Sequence, residues 1–554
     1  MPQSSRRPDR PPTTGIRFGW LWPTLLTLVV TLSGIGRAQL WRDELASWSA
    51  ATRGLDDLVR MVGTIDAVTG AWYLLLHWWV AVFGDSVTAL RLPSALALSV
   101  AAGLTTVLGE RLVGARAGLL AGLLFAVLPG TSRYGQEARP YALVTLLAVL
   151  ATVLLVDAVR RGGWVRWVGY AATVAALGLT HLVALILVGA HAVVVLTEGP
   201  SGGRARRFGA WSAALVPAAL LLTPLLLVAR EQRSRQLDWV DPARLTDLTG
   251  LPGGLAQSAT VGGLVLGLAA LGALRYGRPA LVPGVCLALP VLLLFAVGWV
   301  VPLWVPRYLF FTVPFGCLLA GAALTLTRAA RTDAAPPPVT TDSHTPETRP
   351  DRGTPPSGRL RRVWVPVRGA GLPAGLAVVA LVGLMGLPDQ VALRRTHEWP
   401  RSAAIDYRGA AEVVVAGRRP GDAVVYAPRD GWLFLDLAMA YHLGRSRPPA
   451  GRVEPGDAPT GPSTPTGRPR AGADQPRDAL LVRDQADRGD LWATECARPA
   501  ECLAGVTRVW LVVAGRRDDP LAAVPGAKGD ALRADYTVTG VWPRPGLTVA
   551  LLTR

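Results

Sequence analysis

The stretch LWRDELASW, residues 40–48, decides how the rest of the chain can be interpreted. It follows an apolar segment, residues 18–36, which is about the length needed to cross a bilayer. Asp43 and Glu44 therefore stand at a membrane boundary, because each acid inside hydrocarbon would cost about 2.5–3.5 kcal/mol. Acids at such positions are candidates for function. The alternative is that Arg42 pairs with one of them and only anchors the helix end.

The composition of the chain indicates a multi-spanning membrane protein. Of its 554 residues, 51% are hydrophobic and only 17% are charged, and long uncharged runs recur through the first two thirds. The 57 basic residues against 39 acidic residues give a net charge of +18. Most of the basic residues are arginines in short clusters between apolar runs, which is typical of cytoplasmic loops and not of a nucleic-acid groove. We therefore predict no nucleic-acid partner.

The apolar runs predict an all-α polytopic membrane protein with about eleven transmembrane helices. The run at residues 72–83 is too short to cross alone, and its tryptophans favour the membrane interface. The run at residues 167–195 is interrupted by His181, so we interpret it as two spans joined by a tight turn. The remaining predicted spans lie near residues 18–36, 88–108, 117–129, 142–159, 211–229, 261–274, 281–301, 309–327 and 367–387.

The distribution of arginine predicts the orientation of these spans. The N-terminal tail and every second loop carry most of the loop arginine, so that side is predicted to be cytoplasmic. The loops that alternate with these arginine-rich loops are then predicted to be extracytoplasmic. They include Asp43-Glu44, residues 133–139, His181, residues 230–257 and residues 302–307. The first span has no convincing cleavage site after it and is interpreted as uncleaved.

The chain is predicted to divide into five parts. They are a cytoplasmic tail (1–17), a transmembrane domain (18–327), a disordered cytoplasmic linker (328–366), a last span (367–388) and an extracytoplasmic domain (389–554). Alternating helix and strand patterns predict a small α/β fold for the last part, with a strand at 423–426. A disordered insert is predicted at 448–477. The domain has no glycine-rich loop that would bind a nucleotide.

The cysteines fall into two groups. Cys286 and Cys317 lie in apolar runs and are most simply small core residues. Cys496 and Cys502 are close together in the domain that is predicted to face an oxidising compartment, so they are predicted to form a disulfide. No cysteine and histidine cluster has zinc spacing.

The polar clusters that interrupt the apolar runs all lie on the predicted outer face. They combine acids, which can remove protons, with arginines, which match phosphate geometry. That combination suits a lipid-linked phosphate substrate at a bilayer surface. Each residue also has a structural interpretation: Arg133 and Arg139 as helix ends that reach toward water, His181 as a turn residue, and Arg307 as an interfacial anchor.

Several segments resemble, in their order along the chain, the polyprenyl-phosphate-sugar-dependent glycosyltransferases of the GT-C class (glycosyltransferase family 39). Relatives in that class include protein O-mannosyltransferases and lipid A aminoarabinose transferases. The resemblance covers about residues 20–326, and the C-terminal domain matches only loosely. The segments are WRDE (41–44), WYLLLHWW (72–79), FGDS (83–86), LRLPS (90–94), YGQEARPYA (134–142), TH (180–181) and PRYL (306–309).

The resemblance implies that mannose, or another hexose or pentose, is transferred with inversion from a polyprenyl phosphate to a glycan, lipid or protein acceptor on the outer face. It implies Asp43 as general base, with Glu44 orienting that base or the acceptor. It implies Arg139 and Arg307 as ligands of the phosphate. The other expected substrate-site residues are Tyr134, Gln136, Glu137, His181 and Tyr308. No cofactor is identified, and a divalent cation stays open.

Two other function classes fit parts of the pattern. A transporter or flippase of lipid-linked saccharides would use the same arginines without a base, but it should show internal repeats, and none is found. A membrane-anchored binding protein with a C-terminal sensor domain would leave the outer-face clusters without a role.

Overall fold

The computed structural model describes residues 18–198, 203–325, 371–398, 401–445 and 475–554. The predicted tail (1–17) and linker (328–366) lie outside these residues, as does most of the predicted insert (448–477). At the end of that insert, Arg477 is already part of a strand.

Sixteen α-helices precede the C-terminal domain in the described part of the chain. They are α1 (Leu21–Leu32), α2 (Arg42–Ala51), α3 (Leu55–Thr64), α4 (Gly70–Phe83), α5 (Val87–Leu112), α6 (Ala115–Val127), α7 (Pro129–Gly135), α8 (Tyr141–Arg161), α9 (Trp164–Thr180), α10 (Leu187–Thr197), α11 (Arg204–Gln236), α12 (Leu245–Ala256), α13 (Ala259–Tyr276), α14 (Leu281–Gly298), α15 (Val313–Ala323) and α16 (Gly371–Leu393). Short 3-10 helices lie at Ala67–Thr69, Leu182–Ile186, Arg278–Ala280 and Pro306–Thr312.

The helical, multi-pass architecture that the sequence predicts is confirmed. Within the described residues, six helices are long and apolar enough to cross a membrane, or seven if the bent pair α6 and α7 forms one span. The predicted count of eleven is not confirmed, because several other apolar helices, such as α1 and α10, are shorter than a bilayer requires.

Two interruptions in the helical bundle place residues at the candidate site. The run at 167–195 breaks at His181, whose backbone is extended with φ −164°, between α9 and a 3-10 helix. The pair α6 and α7 bends by 65°. Pro129, at the first position of α7, starts a helix without needing a hydrogen-bonded amide.

The predicted polar loop at 230–257 is wrong over most of its length. Helix α11 continues to Gln236, and α12 covers Leu245–Ala256, so only the short segment between them is a loop. Leu251 and Leu255 of α12 are buried at the four-residue spacing of one helix face. Charged residues of α11 such as Arg230 and Arg233 are exposed, and Asp238 and Asp241 lie in the connecting segment.

The C-terminal domain has the α/β pattern that the sequence predicts. Its helices are α17 (Tyr407–Gly417), α18 (Leu435–Leu443), α19 (Gln485–Arg488), α20 (Pro499–Cys502) and α21 (Gly526–Asp535). Its strands are β1 (Ala423–Ala427), β2 (Arg477–Asp478), β3 (Leu481–Arg483), β4 (Thr494–Glu495), β5 (Arg508–Ala514), β6 (Thr537–Arg544) and β7 (Leu547–Thr553). A disulfide joins Cys496 to Cys502.

The main sheet has the strand order β2-β1-β5-β7-β6. Strands β2, β1 and β5 are parallel, whereas β7 is antiparallel to both β5 and β6. Buried side chains of α17 and α18 share one apolar cluster with α2 and α4 of the membrane domain, including Leu45, Tyr73, Tyr407 and Phe434. The sheet domain is therefore packed directly against the helix that carries Asp43.

Candidate active site

Helix α2 brings Asp43 to the mouth of a cleft. Asp43 lies in the first turn of α2, where unpaired backbone amides favour a negative charge. Its Oδ2 lies 3.5 Å from an Nη atom of Arg307, and Arg42 is 4.0 Å from Oδ1. The side chain keeps 18% of its surface exposed and lines the cleft.

Glu44 faces the protein interior instead. Its oxygens accept hydrogen bonds from Nε and Nη2 of Arg91 at 2.8 and 2.6 Å and from the amide of Ala138 at 2.8 Å, and both charged side chains are fully buried. Burial alone would raise the pKa of Glu44, but the charge and hydrogen bonds of Arg91 hold that pKa well below its ordinary value. Glu44 is therefore placed to fix α2 and not to meet a substrate.

Arg139 belongs to a hydrogen-bonded group behind Asp43. Its Nη1 donates to the hydroxyl of Tyr73 at 3.2 Å, and that hydroxyl donates to Asp66. Gln236 donates to the same carboxylate from the end of α11. Burial raises the pKa of Asp66, while the charge of Arg139 opposes that rise. The Nε of Arg139 is buried and has no hydrogen-bond partner.

Arg307 and Tyr308 enter the cleft from the 3-10 helix Pro306–Thr312. Arg307 donates from Nε to the hydroxyl of Tyr141 at 3.0 Å, and its guanidinium lies 5.2 Å from the ring centre of Trp239. Tyr308 packs against His181 with ring centres 4.7 Å apart. These contacts fix the guanidinium with one edge toward Asp43.

Together these residues line a cleft with a cavity volume of about 120 Å³ between the membrane domain and the sheet domain. Three arginines and two aspartates supply its charged wall, so the charged lining favours an anion. The rest of the lining is mostly apolar and aromatic. The lining residues are Arg42, Asp43, Ala46, Ile65, Asp66, Arg139, Gln236, Trp239, Arg307, Tyr308, Trp432, Phe434 and Leu491.

Of the predicted site residues, Asp43, Arg139, Arg307 and Tyr308 line this cleft, and the others do not. Gln136 is buried and donates to the carbonyls of Thr31 and Ser33 at the end of α1. Tyr134 packs on Phe310 with ring centres 4.2 Å apart.

Glu137 lies 2.9 Å from Arg133 and has only 1% of its side chain exposed. Burial raises the pKa of Glu137 to about 7, although the charge of Arg133 opposes that rise. These positions are consistent with a buried scaffold, so we propose a supporting role for Glu137 and for Gln136.

Several lining residues were not predicted from the sequence. Asp66 stands alone between an amphipathic helix and a tryptophan-rich run, and no local motif marks it. Trp432, Phe434 and Leu491 come from the sheet domain, for which no role in the site was predicted. In the described ranges, no three His, Cys, Asp or Glu side chains are grouped as metal ligands would be.

The comparisons with known proteins agree with this architecture. Residues 68–227 match the family model of the dolichyl-phosphate-mannose-protein mannosyltransferases. The fold is similar to that of ArnT from Cupriavidus metallidurans, in crystal structures of the apo state and of the state bound to undecaprenyl phosphate. The identities are 15% and 16%, the TM-score is 0.55 for both, and the alignments cover 96% of this chain and 98% of each ArnT chain.

No curated protein sequence matches this chain significantly. The structural similarity nevertheless includes the C-terminal domain, which the sequence motifs matched only loosely. The resemblance to the GT-C glycosyltransferases that was inferred from the sequence is therefore confirmed, and as a shared fold it extends over nearly the whole chain.

Proposed function

We propose that this chain is an integral-membrane glycosyltransferase that moves a sugar from a polyprenyl phosphate to an acceptor on the extracytoplasmic side. The observation that carries the proposal is the placement of the Asp43 carboxylate 3.5 Å from the Arg307 guanidinium in one cleft with Arg139. A general base and a phosphate-binding group are the two parts that such a transfer needs.

The proposed step is a single displacement. The acceptor hydroxyl oxygen attacks the anomeric carbon, and the bond from that carbon to the phosphate oxygen breaks with its electron pair on the phosphate. The acceptor proton passes to Asp43. Attack from the side opposite the leaving group inverts the anomeric configuration. No covalent intermediate is needed, so one carboxylate at the reacting centre is sufficient.

The arginines supply the stabilisation of the leaving phosphate. Arg307 is held by Tyr141 through Nε, so its outer guanidinium edge is available to oxygen atoms. Arg139 has a buried Nε without a partner, which a phosphate oxygen could satisfy. Arg42 adds a third positive charge at the mouth of the cleft.

An apolar groove fits the lipid part of such a donor. It has a cavity volume of about 360 Å³ and lies among α12, α13, α14 and α15, with Leu251, Val265 and Val291 in its walls. The 3-10 helix that carries Arg307 and Tyr308 into the cleft ends at Thr312, which lines the groove. A phosphate at Arg307 and a hydrocarbon chain in the groove would therefore be neighbours.

The sugar is proposed only as a hexose or pentose. Mannose is the first candidate because the matching family model is named for a mannose transfer, and undecaprenyl phosphate is the lipid in one similar structure. The extracytoplasmic placement of the cleft is supported by the arginine distribution among the loops.

The test is a transfer assay with the full chain reconstituted in liposomes. Radiolabelled polyprenyl-phosphate mannose and other hexose and pentose donors are mixed with cell-envelope fractions, and labelled product and released polyprenyl phosphate are measured. Asp43→Asn should reduce transfer by about 10²–10⁴-fold, the usual contribution of a general base, with donor binding and membrane insertion unchanged.

Asp157→Asn is the matched control, because Asp157 lies at the far end of α8 in a partly exposed group with Arg111 and Arg161. It should transfer like the wild type. Near-normal turnover in Asp43→Asn would contradict the base assignment. Movement of intact donor across the bilayer without any product would instead support a flippase.

A further inference from the structure

The cleft has a second wall that the proposed transfer step leaves without a role. Its side chains are Trp239, from the segment after α11, and Trp432, Phe434 and Leu491, from the sheet domain. Trp239 is 44% exposed and Trp432 is partly exposed, whereas Phe434 is buried. We name these four residues the aromatic wall.

The sheet-domain part of the aromatic wall is held rigidly from behind by Trp492. The Trp492 ring meets Trp432 edge to face at 4.8 Å and stacks on Phe434 at 5.7 Å. Its Nε1 donates to the carbonyl of Gly431 at 3.2 Å. Phe434 has a φ of +49°, an unfavourable conformation for a bulky residue that persists where the surroundings enforce it and that is frequent at ligand sites.

The aromatic wall is also tied to the membrane domain. Arg235 of α11 pairs with Asp490 at 2.7 Å and lies 5.3 Å from the ring centre of Trp492. Arg53 donates from Nη2 to the carbonyl of Asp490 at 2.7 Å. The sheet-domain side chains of the wall are thus fixed to the membrane domain that carries Asp43 and Arg307, while Trp239 packs on the Arg307 guanidinium at 5.2 Å.

We propose that the aromatic wall is the acceptor subsite and that it binds a sugar ring of a glycan. This inference rests on the proposed function, since it names the acceptor class for the same cleft. A sugar ring presents carbon-bound hydrogens on its faces and hydroxyls at its edge. The cleft offers aromatic surfaces for the ring faces, and the Asp66 carboxylate and the Gln236 amide for the hydroxyls.

The geometry assigns this wall to the acceptor and not to the donor. The donor phosphate is expected at the arginines and its hydrocarbon chain in the apolar groove, both built from the membrane domain. An inverting attack comes from the side away from the phosphate. A lipid acceptor would gain little from the polar groups at the base of the wall, and an extended peptide would find no open strand edge among the lining residues.

Binding is measured without transfer, so that it can be separated from catalysis. Saturation-transfer NMR with the detergent-solubilised full chain uses mannotriose, maltotriose and arabinotriose as probes, and a serine- and threonine-rich peptide as a comparison. At least one trisaccharide should bind through its ring protons. Trp432→Ala should weaken that binding at least tenfold, or about 1.4 kcal/mol, while Trp432→Phe, which keeps an aromatic face, should recover most of it.

Two control variants make the result specific. Trp542→Ala removes a partly exposed tryptophan of the same domain from outside the cleft and should bind like the wild type. Asp157→Asn, at the far end of α8, should also bind normally, because Asp157 lies outside the cleft. Normal saccharide binding with no transfer from any donor would count against the proposed function alone.

The inference is overturned if none of the trisaccharides binds, if Trp432→Ala binds them as well as Trp542→Ala does, or if the peptide binds in their place. Once a transferred product is known, Trp432→Ala should raise KM for the acceptor and leave KM for the donor unchanged. A rise in the donor KM instead would assign the wall to the donor sugar and overturn the acceptor assignment.

Discussion

Replacing Glu44 by glutamine should destabilise the fold without removing the catalytic base. The carboxylate and Arg91 have 0% side-chain exposure and share two hydrogen bonds of 2.8 and 2.6 Å. Glutamine keeps the size of the side chain. Its NH2 group, however, places hydrogen-bond donors against the guanidinium of Arg91, which has only donors and needs acceptors. Breaking one partner of a buried ion pair costs about 3–5 kcal/mol, because the other charge is left uncompensated.

The measurement is the unfolding midpoint of the detergent-solubilised protein, followed by tryptophan fluorescence. Asp57→Asn is the matched control: its partner Arg60 is 54% exposed and Asp57 is 30% exposed, so losing that pair should cost at most about 1 kcal/mol. Turnover per folded molecule should stay within about tenfold of the wild type in Glu44→Gln, since a positioning residue affects the rate less than a base does.

The pH dependence gives a second readout of the same prediction. The pKa of Glu44 is held below its ordinary value of 4.5. The ion pair with Arg91 therefore contributes its full stabilisation above pH 4.5, and this contribution is lost as the pH falls through the lowered pKa. The midpoint difference between wild type and Glu44→Gln should therefore be constant near neutral pH and shrink in strong acid. Equal midpoints for Glu44→Gln and Asp57→Asn at pH 7 would refute the reasoning.

Three further predictions concern orientation, covalent structure and donor binding. Reporter fusions after Arg362 and after Arg554 should report opposite sides of the membrane, and the same side for both would remove the last span. Cys496 and Cys502 should react with a thiol reagent only after reduction; full labelling beforehand would reject the disulfide and weaken the outside placement. Arg307→Lys keeps the charge but loses the two-pronged geometry, so donor titrations should show weaker binding, whereas wild-type behaviour would make Arg307 an interfacial anchor.

The fold could be predicted from hydropathy because lipid-facing and buried helix surfaces are both apolar. That equivalence also explains why the predicted count of eleven spans is not confirmed among the described residues. A window of apolar residues does not distinguish a helix that crosses the bilayer from one such as α1 or α10, which is too short to cross alone. At 230–257 a loop was predicted, although α11 and α12 cover most of this range and carry polar residues on their exposed faces.

The charged wall of the site was predictable and the aromatic wall was not. Asp43, Arg139 and Arg307 each interrupt an apolar run on the predicted outer face. That they share one side of the membrane follows from the order of the spans in the sequence. Trp432 and Phe434 lie in a domain where aromatic residues are ordinary core residues. Only the packing of α17 and α18 against α2 and α4 brings them to the cleft.

The adjacent acids Asp43 and Glu44 show why a motif identifies a site before it assigns roles within it. Successive residues of an α-helix point about 100° apart, so two neighbouring side chains at a helix start cannot face the same surroundings. In α2 this rotation directs Asp43 toward Arg307 and the cleft, and Glu44 toward Arg91 and the interior. One carboxylate is then available to a substrate, and the other holds the helix that presents it. The sequence places both at the membrane boundary, but the rotation of α2 relative to α5 decides which of them can take a proton from an acceptor.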